Sequence, residues 1–174
     1  MRSPLNSISL GCVKANDPLA DAFTRAKRLI EVLGKSPDLV LAVLRSHLLL
    51  EEQLREVVMS SVREPKHLAA LRLSSSQVQA LANAILGGST EQLPWSFLTG
   101  LNALRNKLAH QVEVPAFELK VAKLTALVPV APSGKVHPPH ETVYFFTLAV
   151  ARVSGEIYSR GRAFLAERGT NRAT

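Results

Sequence analysis

The sequence contains little of what builds disulfide-stabilised, metal-centred or membrane-spanning proteins. Cys12 is the only cysteine among 174 residues, which excludes a disulfide within the chain and a zinc site made of several thiolates. No apolar run approaches the roughly 20 residues that a transmembrane helix needs. We therefore expect a cytoplasmic protein that does not contact a membrane.

Signatures of several common enzyme classes are also missing from the chain. It contains no glycine-rich phosphate loop, no Ser-x-x-Lys pair and no Cys/His arrangement. His137 and His140 have the spacing of metal ligands, but no third ligand lies near them in the sequence. The sequence therefore predicts neither a metal site nor a cofactor.

What the chain does have is an aliphatic and basic composition. Hydrophobic residues make up 47% of it and aromatic residues only 5%, which favours helix-on-helix packing over a sheet. The length suits one domain. The formal net charge of +7 fits a polyanionic partner such as RNA, although solubility alone accounts for such a charge equally well.

Hydrophobic periodicity, together with the proline and glycine stops, predicts an all-α bundle of about five to six helices. The domain is predicted over residues 17–168, with a flexible lead over 1–16 and a polar tail over 169–174. Helices are expected near 17–33, 37–62, 76–86, 94–112, 115–127 and 141–167. The last helix is expected to pack Tyr144, Phe145, Leu148, Val153 and Ile157 inward. The proline-rich run before it is predicted to be a surface loop.

The predicted helix over 94–112 carries the most informative residues. At about 100° per residue, Asn106 and His110 lie about 40° apart, one turn from each other. Arg105 lies roughly 140° from His110, at the edge of the apolar side. That side is the predicted core stripe of the helix, formed by Phe97, Leu101, Leu104, Leu108 and Val112.

The remaining face of this helix is small and polar. It is formed by Gly100, Ala103, Asn106, Lys107 and His110. A freely solvated face would more often carry Lys, Glu and Gln, which stabilise a helix better than Gly does. The pattern favours close packing of a second helix, expected from a second copy of the chain. The alternative is a solvent-exposed helix with an ordinary surface histidine.

The predicted helix over 37–62 places His47 and Glu51 one turn apart within an apolar face. Two ionisable groups in such a face are costly unless they are paired or hydrogen-bonded. They either support a site near Arg105 and His110 or form a pair that is satisfied within the bundle. The sequence alone leaves both interpretations open.

The run LRNKLAH, with the spacing Arg-Asn-x-x-x-His over residues 105–110, resembles the signature of the HEPN superfamily (higher eukaryotes and prokaryotes nucleotide-binding domains). The order of HLLLEEQLREVV, a middle helix and LNALRNKLAH, over roughly Pro37 to Leu127, is similar to the branch that includes mannitol-operon repressor-like proteins. The resemblance implies a small all-α bundle that forms a two-fold dimer, with two motifs along one cleft. It also implies that Glu51 is the acidic residue that members often carry on the earlier helix.

Many members of this superfamily are metal-independent endoribonucleases that act as toxins or defence effectors. By that resemblance, Arg105 would bind the phosphate and balance its charge, His110 would transfer a proton, and Asn106 would orient the phosphate or the histidine. Glu51, His47 and Lys107 would support these residues. RNA is cut without a metal when its own 2′-hydroxyl attacks the adjacent phosphate, which needs a proton acceptor and a proton donor. Histidine titrates near neutrality and arginine is permanently charged. A dimer would supply two such histidines.

Two other interpretations remain open at this point. One is a non-catalytic module that binds nucleic acid or a nucleotide, or a regulator similar to the mannitol-operon repressor family, although the chain has no helix-turn-helix signal. The other is a bundle that serves only protein interaction. The partners expected under these hypotheses are RNA, a second copy of the chain, and an antitoxin or regulatory protein.

Overall fold

A computed structural model of the chain describes residues 17–35, 38–87, 95–130 and 138–170. These residues form seven α-helices and no strand, so the predicted all-α bundle is confirmed. A one-turn helix, α3, brings the count above the five to six expected. The helices are α1 (Pro18–Leu33), α2 (Leu39–Ser61), α3 (Pro65–Ala69), α4 (Ser75–Leu86), α5 (Trp95–His110), α6 (Phe117–Thr125) and α7 (Pro139–Thr170).

Several sequence features lie outside the described residues. They are the lead over 1–16 with Cys12, most of the proline-rich run with His137, and the last four residues of the tail. Within the described residues, no helix combines the length and apolar character needed to cross a membrane.

Polar side chains determine where several helices begin. The carboxylate of Asp17 accepts hydrogen bonds from the backbone N–H groups of the first turn of α1. Asp38 caps α2 in the same way, so this helix begins two residues later than predicted. At α4, Ser74 and Gln77 form a reciprocal capping box. These caps satisfy backbone donors that a helix leaves unpaired at its start.

The bundle is organised around α2, which packs against α1, α3, α4, α5 and α7. Helices α1, α2 and α7 pack against one another, α4 and α5 lie together on another side of α2, and α6 packs against both α5 and α7. The largest side chains that are almost completely buried come from five of the helices and include Leu19, Leu50, Val78, Phe97 and Phe146. One continuous core therefore holds the motif helix α5 in place.

Helix α7 joins the end of the described chain to its beginning. The guanidinium of Arg162 donates a hydrogen bond to the carboxylate of Asp17. The rings of Phe23 and Tyr158 stack with their centroids 4.2 Å apart. The inward face of α7 differs from the prediction, since Tyr144 is 57% exposed whereas Phe146 is fully buried.

Helix α5 ends earlier than its apolar pattern suggested. It stops at His110, and Val112, predicted in the core stripe, is fully exposed beyond it. Pro115 follows closely, and a proline disfavours helical backbone in the residue before it. Ala116 then adopts a left-handed conformation with φ of 52° and begins α6. The chain therefore reverses between α5 and α6, and the core stripe of α5 ends at Leu108.

Candidate functional site

The motif residues all lie in the last two turns of α5. Asn106, Lys107 and His110 are exposed, whereas Arg105 is half-buried. Nη1 of Arg105 donates a hydrogen bond to Oδ1 of Asn106 at 3.1 Å. The His110 side chain makes no hydrogen bond or ion pair with any described residue. Arg105 is therefore oriented by a neighbour within the motif, while no residue that the structure describes holds the ring of His110.

An exposed stripe runs along the full length of α5. We call it the α5 stripe; its members are Ser96, Thr99, Ala103, Asn106 and His110, all of them exposed. Their spacing of three or four residues places them on one side of the helix. Thr99 accepts a hydrogen bond from Nε2 of Gln79 on α4 at 2.7 Å. The stripe is small and polar, and it is available to a second molecule.

Gly100 is not part of this open stripe. A Cβ atom at Gly100 would lie 2.6 Å from Cδ1 of Leu124, a buried side chain of α6. The helix that packs closely against Gly100 is therefore α6 of the same chain. Of the face expected to meet a second copy, Ala103, Asn106 and His110 remain exposed, whereas the absence of a side chain at Gly100 serves packing within the chain.

His47 is buried at the contact between α2 and α5, with only 5% of its surface exposed. Its Nε2 lies 3.1 Å from Oδ1 of Asn102 on α5, at hydrogen-bonding distance. Its Nδ1 lies 3.8 Å from Oε2 of Glu51. That separation gives electrostatic interaction but is too long for a hydrogen bond, and Nδ1 has no hydrogen-bond partner among the described residues.

Glu51 connects this pair to the start of α4. Oε2 accepts a hydrogen bond of 2.5 Å from the hydroxyl of Ser75, and Oε1 accepts one of 2.9 Å from Nη2 of Arg55. The same nitrogen of Arg55 lies 3.3 Å from the carbonyl oxygen of Leu73. The carboxylate is thus held from two sides, and its position relative to His47 is fixed.

His47 and Glu51 line a small pocket between α2, α4 and α5. Its empty volume is about 270 Å³, including the part open to solvent. Polar groups from all three helices face it, namely His47, Glu51, Ser75, Gln79 and Asn102. Sequence reasoning missed Asn102 and Ser75. A faint signal existed for Asn102, which lies one turn before Asn106 among apolar positions of α5.

The surroundings displace the pKa of both ionisable groups. Burial lowers the pKa of His47, and the positive charge of Arg105 lowers it further, against the raising effects of Asn102 and Glu51. Burial by itself would raise the pKa of Glu51, but the hydrogen bonds from Ser75 and Arg55 and the charges of His47 and Arg55 outweigh it, so this pKa is lowered. At neutral pH the pair is a neutral imidazole beside a carboxylate.

The structure thus separates the predicted site residues into two groups. His47 and Glu51 lie together on α2, with His47 buried and Glu51 partly exposed, and the charge of Arg105 lowers the pKa of His47. Asn106, Lys107 and His110 lie at the solvent-exposed end of α5. Arg105 links the groups, through its charge on one side and its hydrogen bond to Asn106 on the other.

Metal-binding clusters of three or more suitable side chains do not occur among the described residues. His140 is exposed and lies 4.0 Å from the carboxylate of its neighbour Glu141, while His137 is outside the described part.

Comparison with known proteins gives no assignment. No protein-family model, curated protein or solved structure matches the chain. The residues of the site are therefore the basis for assigning a function.

Proposed function

We propose that the chain is a metal-independent endoribonuclease of the HEPN type, acting as a toxin-like or defence effector. The observation that carries this proposal is the arrangement at the end of α5. A half-buried arginine, oriented by Asn106, adjoins an open stripe that ends in a freely accessible histidine. These are the two residue types that metal-free RNA cleavage needs.

Each motif residue has a role that follows from its chemistry. The guanidinium of Arg105 grips a phosphate oxygen pair and stabilises the charge of the phosphorane. The imidazole of His110 removes the proton from the 2′-hydroxyl or supplies one to the leaving 5′-oxygen. Lys107, exposed on the same turn, adds positive charge, and His47 and Glu51 of α2 support the part of α5 that carries Arg105.

A second copy of the chain completes the site in this proposal. Arg105 and His110 lie on different sides of α5, and a single chain supplies one motif histidine, whereas the reaction requires both a base and an acid. A copy packed across the α5 stripe about a two-fold axis would place two motifs along one cleft. The stripe fits this role because its side chains are small and exposed.

The test is incubation of the purified protein with mixed RNAs, with and without EDTA. We expect cleavage that survives the chelator and leaves 2′,3′-cyclic phosphate ends. His110→Ala should lower the rate by roughly 10²-fold or more, the usual scale for loss of a positioned acid or base. Arg105→Ala should weaken both RNA binding and the rate, because it removes charge.

The matched control is His67→Ala, which removes an exposed histidine from α3 and should leave the rate unchanged. All three variants should keep the helical circular dichroism of the wild type. Equal rates for wild type and His110→Ala would contradict the assignment of the catalytic residues, and cleavage that stops in EDTA would contradict the metal-free mechanism.

A second candidate function is a non-catalytic module that binds RNA or a nucleotide. It is favoured by the surroundings of His110, whose ring has no hydrogen-bond partner among the described residues, whereas positioned catalytic histidines usually have one. This alternative predicts Arg105-dependent RNA binding without cleavage. The same experiment therefore distinguishes the two functions.

A further inference from the structure

The hydrogen bonding of His47 is incomplete on one side of its ring. Oδ1 of Asn102 can only accept, so the hydrogen of the neutral ring is on Nε2 and Nδ1 presents a lone pair. That lone pair is buried without a partner among the described residues. Oε2 of Glu51, 3.8 Å from Nδ1, is itself an acceptor. Two acceptors thus face each other beside the pocket.

A proton on Nδ1 removes this conflict. The imidazolium would donate from Nε2 to Asn102 and from Nδ1 towards Glu51, so both ring nitrogens would face an acceptor. The charged groups acting on His47 within the described chain are Glu51 from its own helix and Arg105 from α5. From α4, the pocket receives only Ser75 and Gln79, which carry no charge.

Arg105 is the group that a ligand can neutralise. Arg105 lies one turn after Asn102 on α5, and Asn102 contacts His47. The positive charge of Arg105 therefore opposes a second positive charge on His47. A phosphate bound to Arg105 would cancel that opposition, while Glu51 and Asn102 would remain in place to receive the two ring hydrogens. Occupation of Arg105 and protonation of His47 therefore favour each other.

We propose that His47 takes up a proton when a nucleic-acid phosphate binds at Arg105, and that Asn102 is the positioning residue that keeps Nδ1 turned towards Glu51. This inference rests on the proposed function in one respect, that Arg105 receives phosphate. It adds that phosphate binding is linked to protonation of His47, and that Asn102 positions the His47 ring.

The consequence is a pH dependence of affinity with a defined direction. The ordinary histidine pKa is 6.5 and that of His47 lies below it, so binding should tighten as the pH falls below about 6.5. A rise of one full unit in the pKa of His47 on binding would correspond to about a tenfold higher affinity at the acid end of this range.

The experiment is calorimetric titration of the full chain with a short 2′-O-methyl oligouridylate, from about pH 5 to about pH 8. This probe lacks the attacking 2′-hydroxyl, and neither its phosphodiesters nor its bases titrate in that range. Binding heats in buffers of different ionisation enthalpy give the number of protons taken up. We expect a fraction of one proton per bound chain, largest on the acid side.

Variants assign the proton to a residue. His47→Gln keeps a donor for Asn102 and should abolish the uptake. His67→Gln, on α3, is the matched control and should retain it. His110→Gln is the competing assignment, because His110 is exposed at the site. Uptake that persists in His47→Gln and disappears in His110→Gln would overturn the inference.

A second measurement uses no change at His47 itself. The pKa of His47, measured by NMR from the chemical shifts of its ring C–H groups, should rise when the oligouridylate binds. Arg105→Gln should produce a similar displacement in the free protein, because it removes the opposing charge. Asn102→Asp should raise the pKa of His47 further, since a carboxylate would then face Nε2.

The outcomes separate this inference from the proposed function. Arg105-dependent binding without proton uptake, together with an unmoved His47 titration, would overturn the inference and leave the nuclease proposal standing. If binding is proton-linked but RNA is not cleaved, the nuclease proposal would be overturned and the inference would stand. If no oligouridylate bound at Arg105, the inference would be overturned, and cleavage of the mixed RNAs would still decide the nuclease proposal.

Discussion

At the scale of single residues, His47 and His110 show how position decides what one side chain can do. His47 is 5% exposed and faces an amide and a carboxylate, whereas His110 ends α5 in solvent. The first can sense charge without touching a ligand. The second is open to contact with another molecule, and no described residue fixes the orientation of its ring.

The His47–Glu51 pair makes stability depend on pH in a specific direction. The pKa of His47 is lowered from 6.5 in the folded protein, so below that value the unfolded chain binds more protons. The free energy of unfolding then rises with pH. This stabilisation is complete above about pH 6.5 and is lost as the pH falls through the folded pKa. The lowered pKa of Glu51 has the same effect: its contribution to stability is complete above the ordinary pKa of 4.5 and is lost as the pH falls further.

We therefore expect the urea midpoint to fall when the pH is lowered from 7 towards 4.5, the range between neutrality and the ordinary pKa of Glu51. His47→Gln should flatten the upper part of that profile, because glutamine does not titrate. His67→Gln should reproduce the wild-type slope. If the His47→Gln profile ran parallel to the wild-type profile over the whole pH range, the pKa of His47 would be the same in the folded and the unfolded protein.

The sequence placed His47 and Glu51 one turn apart within an apolar helical face, and it left open whether they pair within the bundle or support the site. It did not predict Asn102 or Ser75, which complete the pair. Their roles depend on the contact of α2 with α5 and with the start of α4. In a sequence, a polar residue at the edge of an apolar helix face gives the same pattern whether its side chain faces water or a buried histidine.

At the scale of elements, the type and order of the helices could be predicted from the sequence. Which face of a helix is buried and where the helix ends could be predicted only in part. Val112 continues the apolar period of α5, yet the helix ends at His110 because the chain turns towards Pro115 and Ala116. Tyr144 fits an apolar face of α7 but is exposed, whereas Phe146 packs near Phe97 of α5. Periodicity defines a stripe only to within about one residue, and neighbouring helices decide which side is covered.

Two helical glycines make a matched test of the packing between α5 and α6. Gly155 of α7 has no atom within 4 Å of the place that a Cβ would occupy, so Gly155→Ala should stabilise the protein by about 0.5–1 kcal/mol through helix propensity. Gly100→Ala should lack that gain, because Leu124 must move away. Gly100→Val should cost about 1–3 kcal/mol through overpacking.

The measurement is the free energy of unfolding in urea for the wild type and the three variants. Equal stabilisation by Gly100→Ala and Gly155→Ala would mean that α6 does not approach α5 as closely as the 2.6 Å separation indicates.

At the scale of the whole molecule, an open stripe on a basic protein defines the assembly to test. Ala103 lies in the middle of the α5 stripe and is exposed, so Ala103→Trp should weaken a two-fold dimer without unfolding the chain. Ala163→Trp, at an exposed alanine of α7, is the control for a bulky surface residue. The molar mass from light scattering at micromolar concentration should fall only for the first variant. A wild type that remains monomeric there would contradict the dimer.

The connection of α7 to α1 has a consequence for how the protein is made. Arg162 and Asp17 are 145 positions apart in sequence, and α1 and α2 both bury apolar surface against α7. A ribosome adds about 5–20 residues per second, so the early helices leave the exit tunnel roughly ten seconds before their cover is synthesised. During that interval the surfaces of α1 and α2 that α7 will cover are exposed to solvent, a state in which chaperones and proteases compete for the nascent chain. Final burial of α1 and α2 therefore waits until α7 has been synthesised.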